Sequence, residues 1–167
     1  MKTVNVWDYS EQIMKAVKNG VLLTTKADGK VNTMTISWGM LGIEWSKPLF
    51  ITVVRESRFT KTFLDKTGVF TVNIPLGDFD RNITGFCGSK SGRDTDKIKE
   101  LGLTLTDGVN IDVPGIKELP LTLECKVVYT QQQELSTLYQ GGKEAFYAGG
   151  DLHTAYYGEI VNAYIAE

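Results

Sequence analysis

Short β-forming segments separated by tight-turn signals are the feature that most constrains how this 167-residue chain can fold. Residues 121–129 alternate apolar and polar side chains, which is the pattern of a strand with one buried face. Asp28-Gly29 stands between two further strand-like segments, at 21–26 and 30–38, and marks a hairpin turn. Because repeated strand–helix–strand units are absent, an antiparallel sheet is favoured over a doubly wound one. Closure of that sheet into a barrel would remove its exposed edges.

The other periodic segments bring the prediction to about six or seven strands with three or four short helices. Further strands are predicted at residues 48–55, 69–74, 143–149 and 155–165. A first helix is predicted to begin near Asp8 and Glu11, which stand at capping-box spacing, and to end at Gly20. A second helix is predicted at 57–66 with Ser57 as its N-cap, and the middle, 78–103, as helical and loop-like. No linker divides the chain, so one domain over 1–167 is expected.

Composition disfavours several classes of protein. The net charge of −2 leaves no basic surplus for a nucleic-acid backbone. The longest apolar stretch, 48–54, is far shorter than the roughly 20 residues of a membrane-spanning helix. The N-terminus lacks the apolar core of a secretory signal, so a cytoplasmic location is expected. Cys87 and Cys125 are accordingly expected to be free thiols.

Common catalytic motifs are also missing. One histidine and two distant cysteines do not form a zinc site of the usual spacing, so no metal is expected. There is no G-x-S-x-G motif for a nucleophilic serine. Gly85, Gly88 and Gly92 match neither G-x-G-x-x-G nor the P-loop. Hydrolase and metalloenzyme functions are therefore disfavoured.

Two polar segments are candidates for binding a ligand. In 32–38, strand alternation places Thr33, Thr35 and Ser37 on one face, where hydroxyls can bond a polar ring or a polyol; the ordinary alternative is a solvated strand face. In 55–60, two arginines and two hydroxyls cluster at a predicted helix N-terminus, which favours an anion. The alternative there is a capped helix with solvated arginines.

Two further features remain open on local grounds. The glycine-bearing stretch 86–97 suits a cover over a ligand or, as the local pattern favours, a surface turn. His153 precedes the last predicted strand, and a lone histidine is more often structural than catalytic. Its unperturbed pKa near 6.5 still allows it to act as a proton acceptor or as a partner for a charged cofactor.

The order of these segments resembles the flavin reductase-like, FMN-binding split-barrel family over about residues 20 to 165. The resemblance rests on 32–38, 47–50, 55–60 and 68–73, and on the later Ser91-Gly92, Asp96-Lys97 and His153-Thr154. It implies a mainly β fold with flanking α-helices, a six-stranded antiparallel split β-barrel. It also implies a homodimer with FMN at or near the interface.

The resemblance assigns roles to individual residues. The residues expected to line the flavin ring and its ribityl chain are Asn32, Thr33, Met34, Thr35, Ser37 and Trp38. Those expected to hold the phosphate end are Arg55, Ser57, Arg58 and Thr60, while Ser91, Gly92 and Lys97 would lie on a loop near the flavin. His153 is expected beside the reacting face, where a nicotinamide would stack. Leu152 and Ile98 depart from the family pattern and bear on the nicotinamide contact.

The implied activity is hydride transfer from NAD(P)H to flavin N5, as in flavin reductases, with reduced flavin passed to a monooxygenase or a redox protein. A flavoredoxin-like FMN electron carrier that exchanges electrons with protein partners without NAD(P)H is the alternative. A flavin-binding module without redox turnover is a third possibility. The choices between NADH and NADPH, and between FMN and FAD, stay open at this point.

Overall fold

The computed structural model describes residues 1–167, which form one curled antiparallel sheet, a small two-stranded sheet and five α-helices. The strands are β1 (Lys2–Thr3), β2 (Val21–Ala27), β3 (Lys30–Ile36), β4 (Gly39–Glu44), β5 (Lys47–Arg55), β6 (Val69–Ile74), β7 (Leu105–Thr106), β8 (Gly115–Ile116), β9 (Leu121–Gln132) and β10 (His153–Ile165). The helices are α1 (Ser10–Asn19), α2 (Phe59–Thr67), α3 (Arg81–Ser89), α4 (Lys97–Leu101) and α5 (Gly142–Tyr147). Short 3-10 turns occupy Val6–Tyr9 and Leu135–Thr137.

The large sheet has the strand order β3-β2-β6-β9-β10-β5-β4, and β1 pairs with β10 as its eighth strand. All of its pairs are antiparallel. The two ends of this order, β3 and β4, are consecutive in the chain. The sheet is curled, so that side chains from strands near its two ends meet. Ile36 of β3 and Phe50 of β5 lie in one buried cluster with Val72 and Tyr156. The predicted mainly β, antiparallel architecture with flanking helices is confirmed.

Helix α1 packs its apolar side into this core. Ile13 and Val17 are almost fully buried among the inward-facing residues of the strands, and Gly20 ends the helix with φ 105°. The predicted capping by Asp8 and Glu11 is wrong. The chain first makes the 3-10 turn, whose N-cap Asn5 accepts a hydrogen bond from the Trp7 amide, and α1 begins only at Ser10.

The outer face of β2 and β6 carries buried polar side chains instead of solvent-facing ones. Asn73 donates to Thr24 Oγ1 at 2.9 Å and to Thr71 Oγ1 at 3.3 Å, and it accepts from the Ile116 amide at 2.8 Å. Thr71 donates in turn to the Pro114 carbonyl at 2.8 Å. These bonds satisfy groups that would be costly to bury unpaired, and they fasten residues 114–116 across the sheet.

The prediction missed β4 and misassigned residues 143–149. β4 forms a hairpin with β5 through Trp45 and Ser46, which adopt φ of 51° and 58°. Neither residue is one of the glycine, asparagine or aspartate residues that usually signal such a turn. The strand predicted at 143–149 is wrong, since this stretch is mostly the helix α5.

Helix α2 begins later than predicted. Arg58 is its N-cap and Phe59 its first residue, so the helix predicted from Ser57 is wrong at its start. The reason is a competing contact, because both the amide and the hydroxyl of Ser57 donate to Asp151. Across the whole chain, no helix has the length and apolar character needed to cross a bilayer.

Candidate functional site

A cavity of about 340 Å³ opens where several element ends meet. The end of β3, the end of β5 and the start of β10 form one side, and α2 with the α3–α4 connection forms the other. The strand ends meet because β10 pairs with β5 in a register that sets His153 opposite Arg55. Five cationic side chains and no carboxylate are among the lining residues: Arg55, Arg58, Lys90, Arg93 and Lys97. The cavity therefore has the electrostatic character of an anion site.

One side of the cavity, here called the basic wall, consists of Arg58, Lys90, Arg93 and Lys97. Lys97 is almost fully buried, and its Nζ donates to the carbonyl oxygens of Cys87 at 3.2 Å and Lys90 at 3.1 Å. Burial lowers the pKa of Lys97, Cys87 opposes that shift, and the charge of Arg58 lowers the pKa further. An anion in the cavity would stabilise the charged lysine.

The two arginines of the basic wall differ in their attachment. Arg93 donates to the Ser57 carbonyl at 3.2 Å, and its guanidinium lies 5.6 Å from the centre of the Phe59 ring. Arg58 lines the cavity without a side-chain capping bond to α2. Its planar set of donors is suited to a phosphate group.

Gly92 allows the α3–α4 connection to lie directly on β3. A Cβ on Gly92 would stand 1.9 Å from Asn32 Oδ1 and 2.9 Å from Phe59 Cδ1. Asn32 donates to Thr60 Oγ1 at 2.8 Å, and Lys30 donates to the Gly92 carbonyl at 2.9 Å. Asn32 thus supports the basic wall from behind and does not line the cavity.

Thr33 also lies outside the cavity. It is fully buried, 3.0 Å from Thr24 Oγ1, and it donates to the Leu23 carbonyl at 3.3 Å. Thr35, on the same strand face, lines the cavity but donates to the Thr84 carbonyl at 2.6 Å. The continuous hydroxyl stripe predicted for this strand is broken because α3 and the polar side chains of β2 and β6 cover its face.

All the other predicted site residues border the cavity. They are Met34, Thr35, Ser37, Trp38, Arg55, Ser57, Arg58, Thr60, Ser91, Gly92, Lys97 and His153. The structure therefore brings together residues from three separate stretches of sequence and from the start of β10. The roles expected of these residues toward a flavin stay predictions.

A carboxylate already occupies the donors predicted to bind an anion at Ser57. Asp151 accepts from the Ser57 amide at 2.9 Å and from its hydroxyl at 2.7 Å. Burial opposes ionisation of Asp151, but these bonds and the nearby arginines hold the pKa of its carboxyl below the usual value. Arg55 donates to the carbonyls of Asp151 at 2.8 Å and Phe146 at 3.1 Å. Arg55 thus fastens residues 146–151 to the end of β5.

The opposite side of the cavity is lined by Trp38 and His153, with Phe146 packed against Trp38 and Tyr147 packed against His153 from outside the cavity. These four residues are here called the aromatic wall. The Trp38 ring lies 5.1 Å from the His153 ring and 5.4 Å, edge-on, from Phe146. Burial and the charge of Arg55 lower the pKa of His153 to about 4, with Asp151 opposing and Arg58 adding to the shift. His153 is therefore uncharged at neutral pH and provides a polar contact without a full charge.

A second groove, of about 430 Å³, adjoins the cavity at Trp38. Its other walls are mostly apolar and include Leu135, Leu138, Phe146 and Tyr157. The sequence prediction missed both this groove and the α5 half of the aromatic wall, because it assigned residues 143–149 to a strand. It also missed Lys90 and Arg93, although three cations within 90–97 were a detectable sign of an anion site.

The chain matches the family model described as the flavin reductase like domain over residues 14–167. Because the match covers nearly the whole chain, the protein belongs to the flavin reductase-like family. This family assignment confirms the resemblance found in the sequence.

Individual relatives agree with the family assignment. An uncharacterized protein of Archaeoglobus fulgidus is 31% identical over 112 residues, 67% of this chain, and the chain spans 62% of that protein's length. Flavoredoxin from Methanosarcina acetivorans is 28% identical, with a TM-score of 0.69 over 89% of this chain and 68% of the flavoredoxin. A Shewanella frigidimarina protein with a split barrel domain is 18% identical, with a TM-score of 0.69 over 98% and 76% of the two chains. The predicted split-barrel fold is confirmed.

Proposed function

We propose that the chain binds FMN in the cavity and acts as an NAD(P)H-dependent flavin reductase. The observation that carries this proposal is the pairing of two unlike walls in one cavity. The basic wall supplies fixed positive charge for a phosphate, and the aromatic wall beside it supplies flat, uncharged surfaces for rings. FMN has both kinds of group in one molecule, and a stacked nicotinamide would need the second kind.

The residues present fit FMN by their chemistry. Arg58 and Lys97 would hold the phosphate, with Ser91 and Thr60 adding hydroxyl donors at the same end of the cavity. Gly92 would keep the α3–α4 connection packed on Asn32, behind the residues that hold the phosphate. Thr35, Ser37 and Trp38 would line the ring side. FAD would add a second phosphate and an adenosine. Lys90 and Arg93 at the rim of the cavity could also contact that second phosphate, so the choice between FMN and FAD is left to measurement.

Bound FMN would supply the hydride acceptor, flavin N5, while NAD(P)H would lose a hydride and become NAD(P)⁺. This chain's own residues would contribute position rather than acid–base chemistry. Trp38 and His153 would flank the nicotinamide. The imidazole of His153 is uncharged at neutral pH. We therefore expect His153 to take part in catalysis by contacting the substrate.

The test is anaerobic absorbance of the purified protein with one equivalent of FMN and a slight excess of NADH, then of NADPH. Rapid bleaching of the flavin band with either nucleotide is the expected result. An Arg58→Ala variant should need more FMN for the same bleaching, which would link the activity to this cavity. If the protein fails to bind FMN at all, the proposal is wrong.

A flavoredoxin-like electron carrier is the second candidate, supported by the 28% identity to the Methanosarcina acetivorans flavoredoxin. In that case FMN would bind, stay oxidised with both nucleotides, and bleach with dithionite. Electrons would then pass to a redox protein or a monooxygenase. A flavin-binding module without turnover would bleach with dithionite but transfer no electrons to any protein acceptor.

We also infer a homodimer, because one face of the sheet carries exposed apolar side chains with no helix on them. Met40, Trp45 and Tyr129 are each more than two-fifths exposed, and the rings of Trp45 and Tyr129 lie 5.8 Å apart. Patches of this kind mark interaction surfaces. Light scattering should give a dimer for the wild type and a monomer for Tyr129→Glu, with Val109→Glu on the loop anchored by Glu124 as control. A monomeric wild type would contradict the proposed homodimer.

The cytoplasmic location expected from the sequence stays a prediction.

A further inference from the structure

We propose that Gln133 and Tyr147 are positioning residues that hold the imidazole of His153 with its proton on Nδ1. Nε2 is then a hydrogen-bond acceptor for the carboxamide of reduced nicotinamide. The tautomer assignment stands by itself, whereas its use in recognising nicotinamide rests on the proposed reductase function. The three side chains, Gln133, Tyr147 and His153, are here called the relay.

The direction of the relay follows from counting protons. The Tyr147 hydroxyl donates to Gln133 Oε1 at 2.9 Å, and it also lies 2.8 Å from His153 Nδ1. A tyrosine hydroxyl has a single proton, which here goes to the glutamine. The proton in the second bond must therefore come from His153 Nδ1. A neutral imidazole with its proton on Nδ1 has a lone pair on Nε2.

The second ring nitrogen is left for a ligand. His153 lines the cavity and is only 5% exposed. The only fully buried side-chain polar atoms without a hydrogen-bond partner are Thr52 Oγ1 and Tyr164 OH, so Nε2 is not a buried orphan atom. Its remaining access is therefore toward the open cavity. The Trp38 ring, which also lines the cavity, lies 5.1 Å from the His153 ring and restricts its rotation.

The relay is held at both ends by contacts of the backbone. The Gln133 amide donates to the His153 carbonyl at 2.9 Å, where β9 meets β10. Arg55 bonds the carbonyls of Phe146 and Asp151, on either side of the turn that joins Tyr147 to His153, and its guanidinium lies 5.3 Å from the Tyr147 ring centre. Local charges support a neutral ring, since Arg55 and Arg58 together oppose protonation more than Asp151 favours it.

A lone pair directed into the cavity selects the chemistry of the ligand. It favours a ligand group with an N–H or O–H donor and disfavours one that has only acceptors. The carboxamide of nicotinamide offers N–H donors beside the ring that gives up the hydride. The 3-acetylpyridine analogue of NADH has a methyl ketone at that position and offers none. Discrimination between the two nucleotides is therefore the functional sign of the relay.

The first experiment measures the tautomer directly in the protein without added nucleotide. Because the chain has one histidine, its ring ¹⁵N signals in a long-range ¹H–¹⁵N spectrum at pH 8 belong to His153 without ambiguity. The wild type should show protonated Nδ1 and unprotonated Nε2. Wild-type signals with the proton on Nε2 would overturn the relay.

Two variants at Gln133 test the relay in opposite directions. In Gln133→Leu, Tyr147 loses its acceptor and donates to His153 Nδ1 instead, so the ring proton should move to Nε2. Gln133→Glu keeps an acceptor and should keep the proton on Nδ1. Tyr147→Phe should give a mixture of both forms. Circular dichroism and melting temperature check that each variant is folded. Unchanged signals in Gln133→Leu would also overturn the proposal.

The second experiment separates the relay from the reductase proposal. With FMN present, the wild type should use NADH with about tenfold higher kcat/KM than its reduced 3-acetylpyridine analogue, the size of one ordinary hydrogen bond. Gln133→Leu should lose this preference through a higher KM for NADH, while Gln133→Glu keeps it. If neither nucleotide is oxidised while the wild-type tautomer is as expected, the reductase proposal fails and the relay stands. Equal use of both nucleotides by the wild type would overturn the recognition step alone.

Discussion

The basic wall and the aromatic wall lie across one cavity but are built by different means. The basic wall packs backbone against side chain at Gly92, and it retains charges that no carboxylate in the lining cancels. The aromatic wall includes a segment that Arg55 fastens to the barrel, and its imidazole, His153, is kept uncharged at neutral pH. We therefore expect phosphate binding by the basic wall and ring binding by the aromatic wall to be separable. Substitutions in one wall should leave binding by the other wall largely unchanged.

The largest effect is expected from Gly92→Ala, which would break the basic wall. The new Cβ would collide with Asn32 Oδ1 and Phe59 Cδ1, so this packing must change, and we expect the α3–α4 connection to shift and to displace Lys97. We expect the Kd for FMN to rise at least about 100-fold, measured by fluorescence titration. Gly85→Ala in α3 is the matched control, because nothing lies within 4 Å of its added Cβ. Tight FMN binding by Gly92→Ala would contradict the described packing.

Removal of single charges from the basic wall should weaken FMN binding less. Lys97→Met and Arg58→Ala should each raise the Kd for FMN about 10- to 100-fold, since hydrogen bonds to charged groups are the strong ones. Arg58→Lys should retain part of the affinity because it keeps the charge but loses the planar donors. The weakening should shrink for riboflavin, which lacks the phosphate. Equal losses for FMN and riboflavin would place the phosphate elsewhere.

A change at Arg55 should act on the aromatic wall instead. Arg55→Met removes the charge that opposes protonation, so the pKa of His153 should rise from about 4 toward 6.5, followed by NMR titration. In the wild type, folding lowers this pKa, so the unfolded chain binds the extra proton. The associated stability is present above pH 6.5 and is lost as the pH falls toward 4. In Arg55→Met that loss should diminish, and an unmoved pKa would contradict the assignment.

The smallest effect is expected at Asp151, which joins the two walls at Ser57. Asp151→Asn keeps an acceptor for Ser57 but removes the charge, so the melting temperature should fall by only about 2–4 °C. FMN affinity should stay within about threefold of the wild type, since Asp151 does not line the cavity. The melting temperature of the wild type should approach that of Asp151→Asn at low pH, where the carboxylate is protonated. A large loss of FMN affinity would show that the walls are coupled.

Sequence patterns predicted the elements that local chemistry specifies. Asp28 and Gly29 have positive φ in the β2–β3 turn, as their residue types indicate. Trp45 and Ser46 adopt the same kind of turn without that signal, so their hairpin is determined by the pairing of β4 with β5 and stayed undetected. Residues 142–147 form a helix that carries the wall residues Phe146 and Tyr147, and six residues are too few for a helical period to be recognised.

The candidate site was predicted only in part, because residue types are visible in the sequence but contacts between distant segments are not. Residue types located the anion-binding character around Arg58, because clustered arginines and hydroxyls are visible in sequence, whereas Lys97 was expected near the cavity only from the family resemblance. Alternation alone could not tell that Thr33 faces a covered layer, or that Asp151 would occupy the donors of Ser57. Both depend on contacts between segments distant in the chain, which a single sequence does not reveal.

The position of β10 between β5 and β9 has a consequence for the order of events in the cell. During synthesis the β2–β3 and β4–β5 hairpins can form early, since each joins neighbouring segments. The cavity stays incomplete until β10 has left the ribosome and paired with β5, which sets His153 beside Arg55. If the chain binds FMN as proposed, this slow, non-local pairing would come before the cofactor is bound. A nascent chain halted before Ala155 should hold no flavin, whatever the concentration supplied.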